Sequence, residues 1–75
     1  MKTTYNKVNR YNLYDIEAPE SILWVAIARD EQHVKELAKN SKVNIEGLII
    51  DLEAVNVLNQ AGKPQLPIIY NSELF

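Results

Sequence analysis

"ILWVAIA", Ile22 to Ala28, is the longest unbroken apolar run in the chain, and its reading decides the fold. It is far too short to span a bilayer. Its branched and aromatic side chains suit a buried strand instead. Strand residues alternate between faces, so Leu23, Val25 and Ile27 share one side and Ile22, Trp24, Ala26 and Ala28 the other. Both faces are apolar. Such a strand lies inside a sheet and needs cover on two sides.

Upstream, "YNLYDIE" (Tyr11–Glu17) is a second strand. "APES" separates it from the apolar run, and Pro19 suits the turn of an antiparallel hairpin with a longer loop. Downstream, "ARDEQHVKELAKN" (Ala28–Asn40) reads as the start and body of a helix over 30–41. Asp30 is its cap, and Glu31 complements the positive end of the dipole and stands four residues before Lys35, the spacing of an ion pair. Lys39 and Lys42 lie near the other end, and Val34, Leu37, Ala38 and Ser41 form one narrow stripe.

The next stretch, "NIEGLIIDLEAVNVLNQAGK" (Asn44–Lys63), fits two patterns. As a helix it aligns Ile45, Leu48, Ile49, Leu52 and Val55, but Gly47 would weaken that helix by about 1 kcal/mol relative to alanine. As a strand over 48–53 it sets Leu48, Ile50 and Leu52 on one side and Asp51 with Glu53 on the other. The branched residues of "GLIIDL" favour the strand. "NQAGKPQ" is then a loop, and "LPIIY" (Leu66–Tyr70) a last strand that Pro67 confines to a sheet edge.

The order β-β-α-β-β predicts an α+β fold: a small sheet of three or four strands with one helix packed on one face. Strand 22–28, helix 30–41 and strand 48–53 form a right-handed crossover if the two strands run parallel. The chain is one small domain over 1–75, with residues 1–10 a basic arm or an edge strand. One helix cannot cover both sides of "ILWVAIA". The face it leaves bare is expected to be an interface, with Trp24 and Ile22 as its anchors.

Composition narrows the function further. There is no cysteine and one histidine, which excludes disulfide staples and any thiolate or poly-imidazole metal site within one chain. Self-association is the reinforcement that remains for so short a domain, so a homodimer is expected. The opening "MKTTYNKVNRYN" has no apolar stretch behind its charges, so a cytoplasmic protein without membrane contact is expected. No P-loop, dinucleotide fingerprint or nucleophile elbow occurs, and no cofactor is expected.

Three groups of residues could carry chemistry. His33 beside Arg29, Asp30 and Glu31 could act as acid or base in a small hydrolase or nuclease. Helix-start chemistry explains the same residues more simply. Asp51 and Glu53 could share a hard cation, although a solvated strand face needs fewer assumptions. The arm "KTTYNKVNRYNLY" interleaves Lys2, Lys7 and Arg10 with Tyr5, Tyr11 and Tyr14, the ingredients of a nucleic-acid surface. Three charges on a chain of pI about 5.2 weigh against that partner. The tail "YNSELF" ends in Leu74 and Phe75, which would dock on their own sheet.

The leading expectation is a non-enzymatic protein-binding regulator or inhibitor, of the size and character carried by phages and plasmids. Its contacts with a partner protein would run through Trp24, Ile22, Tyr11, Tyr14, Lys7 and Arg10. A nucleic-acid-binding accessory protein is the alternative, and an enzyme using His33 the second alternative.

Overall fold

The computed structural model describes residues 7–74. Lys2, Tyr5 and Phe75, to which the sequence assigned an arm and a docking tail, lie outside that range. The elements are β1 (Asn9–Tyr14), β2 (Trp24–Ala28), α1 (Glu31–Asn40), β3 (Ile49–Ala54), β4 (Ile68–Asn71) and a final 3-10 turn, Ser72–Leu74. They build an α+β fold in which one helix packs on a four-stranded sheet of order β3-β1-β2-β4.

Every neighbouring pair is antiparallel. Both β2 and β3 therefore oppose β1 and run parallel to each other, with β1 between them. The crossover through α1 thus skips over a strand. This places β1 inside the sheet, so Asn9 and Arg10 begin an inner strand and not an edge. The edges are β3 and β4.

The first hairpin turns earlier than its composition suggests. β1 ends at Tyr14 because Asp15 turns the chain: its Oδ1 accepts from the Glu17 N–H at 2.9 Å and its carbonyl from the Ala18 N–H at 2.9 Å. A second turn follows, with the Ser21 N–H on the Ala18 carbonyl at 3.0 Å. Regular pairing resumes at Leu13 opposite Trp24.

The helix lies over the side of β2 that carries Ala26 and Ala28. Both are fully buried, in one cluster with Val34 and Ala38 of α1, Tyr11 and Leu13 of β1, and Ile69 of β4. Two alanines facing a valine and an alanine let backbone layers approach closely and leave no room for larger side chains. Trp24, Leu37, Ile45, Leu48 and Ile50 pack around this cluster and are half-buried. Leu48 and Ile50 settle the ambiguous stretch as a strand. Gly47 makes the turn into it with φ at +83°, a conformation that favours glycine.

Helix α1 ends in a Schellman motif. The Val43 N–H bonds the Ala38 carbonyl at 2.8 Å and the Lys42 N–H the Lys39 carbonyl at 3.2 Å. Lys42 holds the left-handed position, φ 58°, that glycine normally occupies there. Val43 turns in to pack on the core, which supplies the apolar contact of the motif.

The opposite face of the sheet is less bare than the sequence implies. Val25 and Ile27 point there yet are 2% and 4% exposed. Their cross-strand neighbours are Asn12 and Tyr70 for Val25, and Arg10 and Ile68 for Ile27. Arg10 Nε and Asn12 Oδ1 are themselves buried without a hydrogen-bond partner. Only Leu23 and Ile68 on this face remain substantially exposed among its aliphatic residues.

Two predictions follow from this packing. Ala26→Leu is expected to destabilise the chain by about 1–3 kcal/mol through overpacking, measured by urea unfolding. Lys42→Gly is expected to stabilise it by about 1 kcal/mol, because it removes the left-handed strain of a side chain while keeping both capping bonds.

Candidate partner-binding surface

At the head of α1, the four polar residues singled out by the sequence are arranged by backbone needs. Asp30 has extended backbone, and its Oδ1 accepts from the His33 N–H at 2.8 Å while its carbonyl accepts from the Val34 N–H at 3.1 Å. His33 returns the bond one residue further out: its Nδ1 accepts from the Arg29 N–H at 3.0 Å. The imidazole is 9% exposed and sits where a capping box usually places glutamate. This reciprocal pair engages one carboxylate oxygen of Asp30 and the Nδ1 of His33 at the helix start. Arg29 and Glu31 stand exposed beside it.

The six positions expected to touch a partner do not share one surface. Tyr11 is buried in the helix-side cluster and Trp24 packs against the same cluster, half-buried. Ile22 precedes β2, half-buried, and its carbonyl accepts from the Ser72 hydroxyl, which ties the end of β4 to the start of β2. Arg10 and Tyr14 lie on the opposite face with partial exposure, and Lys7 is exposed before β1. The alternation of β1 thus separates Tyr11 from Arg10 and Tyr14. Rings and cations that interleave along the sequence are divided between the two sides of a strand.

The two outer strands carry the open backbone of the sheet, and they differ. β4 has four residues, follows Pro67, and ends where Asn71 Oδ1 accepts from the Glu73 N–H at 2.8 Å and starts the 3-10 turn. Proline and early termination are common ways to close an edge. β3 has six residues, no proline and no lysine. It pairs with β1 regularly from Ile49 to Leu52, then bulges, so that Arg10 faces Ala54. Leu52, opposite Tyr11, belongs to the helix side and is 51% exposed; Val55, just beyond the strand, is 66% exposed.

Asp51 and Glu53 project from the other side of β3. Asp51 faces Asn12, whose Nδ2 donates to Glu53 Oε1 at 2.9 Å. Both acids are exposed. Among the described residues, no group of three or more acid, histidine or cysteine side chains could hold a metal ion. On the helix side, a groove opens between the end of α1 and the chain leading into β3. Ile45, Leu48 and Ile50 form its floor, and Lys35 and Lys39 border it.

The acids of β3 and the Pro67 of β4 were legible, but which strands end up outermost depends on pairing. No helix among the described residues is long and apolar enough to cross a membrane. No protein-family model, curated protein or solved structure matches the chain.

The reciprocal cap gives a direct test. Asp30→Ala and His33→Ala are each expected to lower stability by about 1 kcal/mol. The double variant should cost less than the sum, because each residue holds the turn in which the other bonds. Urea unfolding of the four proteins measures the coupling; strict additivity would show that the two bonds are independent.

Proposed function

We propose that this chain is a non-enzymatic protein-binding regulator or inhibitor, acting in the cytoplasm by occupying a surface of another protein. The size and the lack of catalytic motifs fit the small regulatory proteins of phages and plasmids. The observation that carries the reading is the unequal pair of sheet edges. One edge is shortened and follows a proline, while β3 has a longer run without proline, beside exposed Leu52 and Val55, with Asp51, Glu53 and a bulge after Leu52 restricting what can pair with it. An open edge can add a strand from another chain, and strand addition is a common mode of protein recognition.

The place of His33 supports the same reading, since it is largely buried and its Nδ1 serves the helix start. Tyr11 in the core weakens the case for base stacking along β1. The contact surface proposed from the sequence around Trp24 moves accordingly, from the sheet face to the sheet edge.

The test uses the full chain carrying a photo-reactive side chain at position 52, or at position 68 on the other edge, in extract of the native host. A single protein cross-linked from one of these positions, and not from a control at Glu20, is the expected result. His33→Ala in the same background should leave the capture unchanged. Absence of any specific cross-link from both edges would overturn the proposal.

A further inference from the structure

We infer that β3 accepts an extended segment with basic residues on one face and large apolar residues on the other. The inference rests on the protein-binding reading and names the partner's chemistry. The side of β3 away from the helix bears half-buried Ile49 and then Asp51 and Glu53, both exposed. A strand added along this edge places its own side chains directly opposite those of β3, and opposite charges at such positions attract while like charges repel. Lysine or arginine at alternate positions matches the two carboxylates.

The helix side of the same edge asks for something different. There the added strand meets exposed Leu52 and the groove floored by Leu48 and Ile50. Large apolar side chains at the intervening positions would cover this floor. The two sides of β3 together specify a strand of alternating basic and apolar residues, which is the period a strand presents. The bulge after Leu52 limits regular pairing to the first part of β3, so the matching segment is short.

A second copy of this chain fits poorly. Antiparallel pairing of β3 with its own copy sets acid against acid when the symmetry axis falls at Asp51 or Leu52, and like charges placed opposite one another destabilise a sheet. The charges favour a different, basic strand at this edge.

The experiment titrates the isotope-labelled full chain with a short peptide alternating lysine and valine, observed by amide chemical shifts. Three comparison peptides have glutamate for lysine, the same residues in two blocks, or methylated backbone nitrogens. The expected result is binding of the alternating lysine peptide alone, with shifts concentrated at residues 49–54. The double variant Asp51→Asn with Glu53→Gln should weaken binding about fivefold. Glu20→Gln with Glu31→Gln removes the same charge elsewhere and should leave binding nearly unchanged.

Equal binding of the block or methylated peptide would reduce the effect to net charge and overturn the inference. So would shifts centred on Leu23 and Ile68, an equal loss with the control variant, or no binding at all. Sedimentation of the isolated chain adds a further arm: a dimer whose interface shifts fall on 49–54 would assign the edge to a second copy. The protein-binding reading is judged separately by cross-linking, because a host protein captured only from position 68 would preserve it while removing this inference.

Discussion

The close approach of α1 to β2 is the contact on which the rest of the molecule depends. Ala26 and Ala28 present almost no bulk to the helix, and Val34 with Ala38 answers them with little more. The layers can then meet at short range over a single pair of helix turns, which suits a helix as short as Glu31–Asn40. Everything larger is pushed to the margin of that contact: Tyr11 and Leu13 on one flank, Ile69 on the other, and Trp24 at its end. A ten-residue helix cannot reach the whole of a four-stranded sheet, so β3 receives cover only through Leu48 and Ile50 near its start. The exposed Leu52 lies beyond its reach.

This geometry explains why two inner strands behave so differently on their far side. On that side of β2, Val25 and Ile27 are buried beside Arg10 and Asn12 of β1 and Ile68 and Tyr70 of β4. Arg10 Nε and Asn12 Oδ1 are buried there without partners, and a buried unsatisfied polar atom is costly. A chain of this length has little apolar material to spare.

Much of this was legible in the residues themselves. The alternation in "ILWVAIA" identified a strand buried on both sides, the cap at Asp30 fixed the helix start, and Gly47 argued for a turn rather than a helix. What escaped the sequence came from pairing and from atypical residues in familiar positions. The inner place of β1 follows from β3 returning to its free side, which no local pattern encodes. The helix stops with a lysine where glycine is usual, so its end carried no punctuation. Reading "ILWVAIA" as half bare also failed to anticipate that Val25 and Ile27 would be buried. Trp24, expected as an anchor of the bare face, lies on the face that the helix covers.

The place of β4 has a consequence for the order in which the chain can assemble. Ile68 to Asn71 complete the free side of β2, and the Ser72 hydroxyl ties that strand to Ile22 across 50 residues of sequence. On a ribosome, β1, β2, α1 and β3 emerge well before their last neighbour. Until then β2, the most apolar strand of the sheet, is itself an edge. A stalled or prematurely ended chain would therefore present Val25 and Ile27 beside an unpaired backbone. Such a fragment is far more prone to coalesce with its neighbours than the finished molecule. The last short strand contributes little core of its own, yet it turns a sticky intermediate into a sheet whose most apolar strand is paired on both sides.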